Sequence, residues 1–550
     1  MVNRGRSGGC VTCKQRRVKC DEAKPICRLC QRLGLRCGGY GTKYANLKFK
    51  GQNYKFNTGI IQSRISCPRP PAECDTAVPF FLDHYAKMGR DLRSARGFFE
   101  VLIPVYCSQS NNSALSLAVS AVASETLSLW RHSPDGLRWS QDIYTEAITC
   151  LRNAIKDRSE RGKEATALAV LSLQLYENIA AIYGLRSATR IHHDGAVSLL
   201  PFGDSDNQMT GAYIRKFTLH AEISSAIRQK RPLQDIAYSW IGSKDLIFAP
   251  DNPSSALDII GASVVALQTS YMQLLMRDTS EALSRSALKE LVSKARRTDE
   301  QLLVWARSVP DYWQPVKIFS GIDVDPSIQT YRSICEVYPS CQIAAIWNLW
   351  RVQRILLIKI TISSLDKFFY PTQSEHPNDQ TFSEINSAAK YKQMSQDLVD
   401  SICYSIPFYL GNRTKCSTIA DFTDPAILLP SYDSLGEGDK TRLIERNDDH
   451  RRHIIAQGPW HAMSPLSRLL TLFVEEYGRH MLSFLRPGQH EWICEQFLRV
   501  ITLLNIPPLE SGTAEDGCRI SNSSNNESVN TQAEHIAKRV RKGLNFMSGP

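Results

Sequence analysis

Six closely spaced cysteines lie near the start of the chain. Residues 10–37 read CVTCKQRRVKCDEAKPICRLCQRLGLRC. The pattern Cys-x2-Cys-x6-Cys occurs twice in this stretch, and its second copy begins 17 residues after the first. A Cys-x2-Cys pair is close enough to bind one zinc ion, and a third cysteine can return to the same metal from the end of a short helix. The cysteines that we predict as metal ligands are Cys10, Cys13, Cys20, Cys27, Cys30 and Cys37.

The number of cysteines constrains the kind of metal site. Two tetrahedral zinc ions have about eight coordination positions in total, but six thiolates fill only about six of them if each binds a single metal. Two sulfur atoms must therefore bridge the two metals. Three disulfides are one alternative, but they would need an oxidising compartment. A single four-cysteine site is another, but it would leave two cysteines idle. Passive zinc storage is a third, and it does not explain the basic residues between Cys13 and Cys20.

Positive charge is concentrated in the same part of the chain. The first 50 residues hold 13 of the 66 Lys and Arg residues but only 2 of the 55 Asp and Glu residues, so the net charge of +11 lies there and the remaining residues are neutral. A basic patch of this kind indicates a polyanionic partner. We predict that the partner is double-stranded DNA.

The basic run between the second and third cysteines is the predicted reading surface. A spacing of six residues allows a short helix with its cations facing outward, and the fork of an arginine matches O6 and N7 of guanine in the major groove. The alternative is that these cations only form a solvated face. The predicted DNA-binding residues are Lys14, Arg16, Arg17 and Lys19.

The second half of the repeat carries less charge. Residues 31–36 contain two arginines, Arg32 and Arg36, and two leucines, Leu33 and Leu35. Clustered donors suit a face that reads bases, whereas leucines suit a packing face. We therefore predict that the first half reads bases and that the second half supports the fold and contacts phosphates.

This cysteine spacing, with Pro25 in the connecting segment, resembles the fungal binuclear zinc cluster family of transcription regulators. The resemblance implies that the first and fourth cysteines, Cys10 and Cys27, bridge the two zinc ions. Cys13 and Cys20 then complete one zinc site, and the last two cysteines complete the other. The resemblance also implies that Arg16 and Arg17 contact bases in triplets of the CGG type, while the flanking lysines lie against phosphates.

Helical periodicity replaces this pattern from about residue 76. Leu168, Leu171, Leu175 and Ile179, for example, recur on one helix face. The predicted fold class is therefore a small binuclear zinc module with two short helices, followed by a large all-α domain. The body also resembles the fungal-specific transcription factor domain, which implies a regulatory role. The residues that carry this resemblance are Tyr144, Ala147, Leu151, Tyr176, Glu177, His192, Gly195, Ala196, Leu199, Leu200, Trp492, Phe497, Ile501 and Ile506.

These patterns predict five segments. A polar lead-in (1–9) precedes the zinc module (10–37), a basic linker rich in Pro and Gly (38–75) and the helical regulatory body (76–508). The last segment, 509–550, is predicted to be mostly disordered. It ends near a basic cluster, Lys538 to Lys542, which is either a nuclear-import signal or the polar end of a last helix. The linker contains no apolar heptad run, so a homodimer would pair through the helical body.

The predicted function is that of a nuclear transcription regulator of the RNA polymerase II type, with two zinc ions per chain and no membrane partner. The N-terminus has no apolar stretch of the kind found in secretory signals. The longest apolar-rich stretch, 343–357, is interrupted by Asn348 and Arg351. We predict that the protein is not an enzyme and has no catalytic residues. The alternatives are a zinc-tethered scaffold that barely reads DNA and an enzyme with its site in 76–508. A role in regulating a secondary-metabolite pathway is a further, finer hypothesis.

Overall fold

The chain divides into two units, residues 1–69 and residues 70–550, in the computed structural model. The structure describes residues 9–23, 26–37, 71–86, 98–199, 208–241, 252–276, 281–369, 379–431, 440–475, 479–507 and 525–544. Pro25 and most of the predicted linker lie outside these residues.

The N-terminal unit contains two short helices, α1 (Val11–Gln15) and α2 (Arg28–Arg32). Each begins immediately after the first cysteine of a Cys-x2-Cys pair. The sulfur of Cys10 accepts a hydrogen bond from the backbone N–H of Cys13 at 3.4 Å, and the sulfur of Cys27 accepts one from Cys30 at 3.3 Å. Each cysteine therefore acts as the N-cap of its helix, which satisfies a backbone donor that has no partner within the helix.

The second unit is built from helices. Within its described residues there are 16 α-helices. They are α3 (Pro71–Phe81), α4 (Phe98–Cys107), α5 (Ala114–Arg131), α6 (Pro134–Lys156), α7 (Arg158–Arg161), α8 (Glu164–Ile182), α9 (Ile191–Leu199), α10 (Gln208–Gln229), α11 (Asp235–Trp240), α12 (Pro253–Met276), α13 (Glu281–Ser308), α14 (Cys341–Phe369), α15 (Asp379–Leu410), α16 (Lys440–Val474), α17 (Gln489–Leu503) and α18 (Asn525–Leu544). A π-helical turn, Leu82–Ala86, follows α3.

A short antiparallel hairpin lies between α13 and α14. Its strands are β1 (Val316–Phe319) and β2 (Ile334–Val337), and Val316 pairs with Val337. These strands could not be predicted from the sequence, because four residues are too few for an alternating pattern to stand out. The prediction of a small cluster followed by an all-α domain is confirmed, with this hairpin as an addition.

Helix α16 is central to the body and packs against α14, α15, α17 and α18. Its residues from 453 to 463 are all buried. The close crossing of α15 and α16 depends on Gly458, because a Cβ atom there would lie 2.2 Å from the carbonyl oxygen of Tyr409. Glycine is needed at such a close backbone approach.

Three residues from separate parts of the sequence meet in the interior of the body. All three belong to the set on which the resemblance to the fungal-specific transcription factor domain rests. The hydroxyl of Tyr144, on α6, donates to Glu177 Oε1 on α8 at 2.6 Å, and His192 Nε2 on α9 lies 3.3 Å from the same oxygen. Burial disfavours the charged carboxylate, but these contacts outweigh it and lower the pKa of Glu177 to about 2. The cluster thus connects three helices through one buried acid.

The C-terminal segment differs from its prediction. Residues 525–544 belong to a segment that was predicted to be mostly disordered, but they form helix α18. Side chains of this helix, including Ala533, Ile536 and Val540, are buried in the body. The polar composition of the segment hides an apolar stripe at helical spacing, and burial of that stripe stabilises the helix. Arg541, part of the predicted basic cluster, is also buried, which favours the helix-end interpretation over a fully exposed import signal.

The start of the body is also earlier than predicted, because α3 begins at Pro71 within the segment assigned to the linker. Proline is favourable at the first position of a helix, where its missing N–H has no role. High proline density therefore marks a helix start here and not a break.

Two helices of the described part, α8 and α12, are long and apolar enough to cross a membrane by length and composition. In α8, 89% of the most apolar window is buried inside the protein, whereas in α12 the share is 39%. Core helices of globular proteins meet the same criterion, so two such helices are weak evidence for a membrane span. The absence of a membrane partner stays a prediction.

Candidate metal centre and nucleic-acid interface

The structure brings all six predicted ligand cysteines together in two groups of four. One group contains Cys10, Cys13, Cys20 and Cys27, and the other contains Cys10, Cys27, Cys30 and Cys37. Within each group, the four sulfur atoms lie within 4.8 Å of one another. Cys10 and Cys27 belong to both groups, which is the sharing that two metals with six thiolates require.

The distances between sulfur atoms fit tetrahedral zinc. With Zn–S bonds of about 2.3 Å, two ligands of one tetrahedral ion lie about 3.8 Å apart. Cys10 Sγ is 3.7 Å from Cys27 Sγ and 3.8 Å from Cys30 Sγ, and Cys13 Sγ is 3.7 Å from Cys27 Sγ. Thiolate donors in this geometry select zinc over harder cations such as Mg²⁺ or Ca²⁺. The residues present therefore fit the metal.

The thiols form the interior of the module. Cys10 and Cys27 are fully buried, Cys13 and Cys30 are almost so, and the partly buried Leu29 packs against them. Burial raises the pKa of the Cys13 thiol, because charge is disfavoured away from water. Since zinc binds the thiolate, metal binding must release protons, and zinc affinity should fall at lower pH.

The two halves of the module have the same backbone geometry. In the first half, the N–H of Val18 donates to the carbonyl of Cys13 at 3.1 Å, and in the second the N–H of Leu35 donates to that of Cys30 at 2.9 Å. A side-chain contact outside the cysteines also joins the halves, because the Thr12 hydroxyl donates to the backbone carbonyl of Arg36 at 3.1 Å.

The four predicted DNA-binding residues lie on or just after α1, and their side chains are exposed. Lys14 is in the last turn of α1, and Arg16 forms the C-cap of that helix. Arg17 follows with a φ angle of 54°, in the left-handed region. Lys19 is next to the ligand Cys20. All four cations are therefore accessible while the helix that carries them is fixed by two metal-site cysteines.

The second half does not pack as predicted. Leu33 is 50% exposed and Leu35 is 38% exposed, so neither forms a packing face within the described residues. The prediction was wrong because a module of this size has a sulfur-lined interior with no room for a leucine layer. Arg32 and Arg36 are exposed as well, so this half also presents cations to solvent.

The body contains buried charged residues that the sequence analysis did not select. Arg351, Arg468 and Arg541 are each less than a tenth exposed. A signal was present in the sequence, because Arg468 lies in an apolar run, between Leu466 and Leu469, on a helix that is buried on nearly all sides.

Comparison with known proteins identifies the class of the N-terminal module. Residues 8–45 match the family model described as the fungal Zn(2)-Cys(6) binuclear cluster domain. Together with the two groups of four cysteines, this match indicates two zinc ions per chain.

Several curated relatives share this module. The chain is 61% identical over 36 residues to the pestheic acid cluster transcriptional regulator 3 of Pestalotiopsis fici. It is 62% identical over 37 residues to the aspercryptin biosynthesis cluster-specific transcription regulator atnN of Emericella nidulans. Each of these alignments covers 6% of this chain and 6% of the relative.

A third relative is similar over a longer span. The chain is 22% identical over 363 residues to the transcription factor dbaG of Emericella nidulans, which is 65% of this chain and 79% of the relative. An alignment of that length must include part of the helical body. No solved structure matches the chain.

Proposed function

We propose that this protein is a sequence-specific DNA-binding transcription regulator that acts in the nucleus, on genes transcribed by RNA polymerase II. One observation carries the proposal: four exposed cations, from Lys14 to Lys19, lie on a short helix and turn held between the sulfur ligands of a two-metal centre. A pre-ordered basic helix of this size suits the major groove of DNA.

The metal has a structural role in this proposal. Cys10, Cys13, Cys20 and Cys27 would hold one zinc ion, and Cys10, Cys27 and the two C-terminal cysteines of the motif would hold the other. Zinc supplies the folding free energy that a 28-residue module, 10–37, cannot obtain from its small apolar interior. The protein residues then do the recognition.

Bases and phosphates are contacted by different cations. The arginines at positions 16 and 17 can each offer two parallel donors to a guanine, as expected for CGG-type triplets. Lys14 and Lys19, one on each side, are placed to neutralise phosphates, which adds affinity but no sequence information. The first half of the module is therefore the proposed base reader.

The helical body, 76–508, is proposed to be a fungal-specific transcription factor domain that regulates output and, in a homodimer, pairs the chains. The supports are the length of the alignment with the transcription factor dbaG and the meeting of Tyr144, Glu177 and His192 in the core. The linker 38–75 and the remaining segments keep the boundaries predicted from the sequence, apart from the helices that begin at residues 71 and 525.

The pathway proposal is narrower. Two relatives of the zinc module are named as regulators of the pestheic acid cluster and of the aspercryptin biosynthesis cluster. We propose that this chain likewise controls genes for the biosynthesis of a secondary metabolite. The relatives are named as regulators and not as enzymes, and on this basis we propose that the chain has no catalytic activity.

The proposal is tested with the full-length chain. Zinc content is measured by atomic absorption, and the zinc-loaded protein is then used to select duplexes from a random library. We expect two zinc ions per chain and enrichment of CGG-type triplets, both abolished by a strong chelator. Cys27→Ser should remove both metals, whereas Cys37→Ser, which alters a ligand of one zinc only, should retain more zinc.

Two results would contradict the proposal. One zinc per chain would exclude the binuclear centre. Selection of no common sequence by the zinc-loaded protein would favour the zinc-tethered scaffold over a DNA reader.

A further inference from the structure

The helical body contains a cavity with an unusual concentration of buried cations. It is a partly open cleft of about 860 Å³ between protein atoms, a volume that includes space open to solvent. Helices α10, α14, α16 and α18 supply its walls. The principal polar residues that line it are Arg228, Arg468, Arg541, His220, His461 and Asn348.

Two of these arginines are buried without the partners that a buried guanidinium normally has. Arg468 is 4% exposed and Arg541 is 8% exposed. Among the described residues, no group accepts a hydrogen bond from Nε or Nη2 of Arg468, or from Nη2 of Arg541. A buried charged group with unsatisfied donors is costly, and such groups are usually paired.

The surrounding charges do not compensate. Glu475 is the carboxylate whose charge acts on Arg468 and Arg541, and it is already bound by Lys359 Nζ at 2.5 Å and by Lys230 Nζ at 3.1 Å. Arg468 Nη1 lies 3.8 Å from the same carboxylate. The charge of Glu475 is thus shared among three cations, Lys359, Lys230 and Arg468, so little of it remains to balance Arg541.

The arginines also repel one another. Burial, together with the charge of Arg468, lowers the pKa of Arg228 to about 9. Burial and the charges of Arg468 and Arg228 lower the pKa of Arg541 well below its usual value. The cavity therefore has a positive field that protein groups leave largely unbalanced.

The rest of the lining is apolar. Trp460, Leu349, Val352, Pro465 and Leu544 are among the residues that face the same space. A bare inorganic anion would satisfy the arginines but would leave this surface in contact with water. A ligand with an acidic group and an apolar body would satisfy both parts of the lining.

We propose that this cavity binds a small organic carboxylate, with its acid group between Arg468 and Arg541 and its apolar body against Trp460. Arginine forks bind carboxylates with two parallel hydrogen bonds, which suits this pair of residues. The inference does not depend on DNA binding by the zinc module, because the cavity lies entirely within the second unit.

The test uses the zinc-loaded full-length chain without DNA. Aliphatic and aromatic carboxylic acids of increasing chain length are compared with their neutral amides and with inorganic phosphate. Calorimetry measures affinity, and thermal unfolding measures stability. We expect some acids to bind saturably and their amides to bind at least about tenfold more weakly, because the charge-assisted hydrogen bonds are lost.

Arg468→Met and Arg541→Met then test the assigned residues. Each should raise the unfolding temperature without ligand, because an uncompensated buried charge is removed, and each should lose the preference for acid over amide. Arg138→Met, at an arginine whose side chain is 84% exposed, is the matched control and should change neither property.

Three outcomes would overturn the proposal. The first is that no acid binds, or that acids and amides bind equally. The second is that phosphate binds while no organic acid does. The third is that both variants unfold at a lower temperature and still prefer the acid, which would show that the arginines are structural.

Discussion

Arg17 and Gly34 occupy equivalent left-handed backbone positions in the two halves of the zinc module, with φ angles of 54° and 61°. The N–H of Arg17 donates to the carbonyl of Lys14 at 3.1 Å, and that of Gly34 donates to Gln31 at 3.2 Å. Each residue therefore ends a short helix in the same way. Glycine adopts this conformation readily, whereas an L-residue is held there at a cost of about 1–2 kcal/mol. At this position the second half has glycine, which stability favours, whereas the first half has an arginine, which stability disfavours.

Replacing Arg17 by glycine should separate stability from DNA reading. Arg17→Gly relieves the backbone strain, so the zinc-loaded module should resist unfolding and chelation better than the original. The same change removes a base-contacting fork, so affinity for a specific site should fall by about 1–3 kcal/mol. Chelator competition and DNA binding by the full-length chain measure the two effects.

Gly34→Ala is the matched control for this experiment. No atom lies within 4 Å of a Cβ placed at Gly34, so the change introduces strain without a clash. It should weaken the zinc module while leaving the preference between DNA sites unchanged. If Arg17→Gly were as specific for DNA as the original chain, Arg17 would not be a base-reading residue.

The buried acid Glu125 should make the stability of the body depend on pH. One of its oxygens accepts a hydrogen bond from the Ser140 hydroxyl, and the other has no partner among the described residues. Burial raises the pKa of Glu125 to about 7 from 4.5. The neutral acid is therefore favoured in the folded state, and its contribution to stability is lost as the pH rises from 4.5 through 7.

Glu125→Gln should accordingly stabilise the protein only at higher pH. At about 1.4 kcal/mol per pKa unit, the gain above pH 7 is up to about 3 kcal/mol, and below pH 4.5 it should vanish. Urea unfolding at several pH values provides the measurement. Glu146→Gln, at an exposed position of α6, should show no such pH dependence. A gain that is the same at all pH values would mean that the effect is not electrostatic.

The stability of the hairpin region should depend on keeping Arg351 and Glu336 paired. Both residues are 1% exposed, and Arg351 Nη2 lies 2.7 Å from Glu336 Oε2. Arg351→Met leaves the carboxylate buried without its cation, at a cost of about 3–5 kcal/mol in unfolding free energy. Adding Glu336→Gln should recover much of that loss. Urea unfolding of the single and double variants decides this, and equal stability of the two would show that the charges do not interact.

The zinc module could be predicted from the sequence because its ligands are local. The two Cys-x2-Cys-x6-Cys segments fix which atoms can reach a common metal, and the structure brings those sulfur atoms together. Leu33 and Leu35 show the limit of the same reasoning. Their apolar character predicted packing, but exposure depends on how much interior the module has, and the sulfur atoms already fill it.

The body was predictable in class but not in its polar interior. Periodic apolar residues such as Leu168 and Leu171 indicate helices, since a helix buries one face at a fixed spacing. The pairing of Arg351 with Glu336 joins a helix to a strand, and the meeting of Arg468 with Arg541 joins two helices that are distant in the chain. No local pattern specifies such contacts. Helix α18 was missed for the same reason, because packing against α8 and α16 stabilises a polar segment.

The first half of the zinc module is proposed to read bases, and the second half is proposed to contribute phosphate contacts. The most direct measurement is the affinity of the full-length chain for a specific duplex and a scrambled duplex across a salt series. Arg16→Ala and Arg17→Ala should each cost about 1–3 kcal/mol on the specific duplex and reduce the preference over the scrambled one. Arg32→Ala and Arg36→Ala should weaken both duplexes alike and reduce the salt slope by about one unit per lost phosphate contact. If Arg32→Ala abolishes the preference while Arg16→Ala and Arg17→Ala retain it, the assignment of the two halves is wrong.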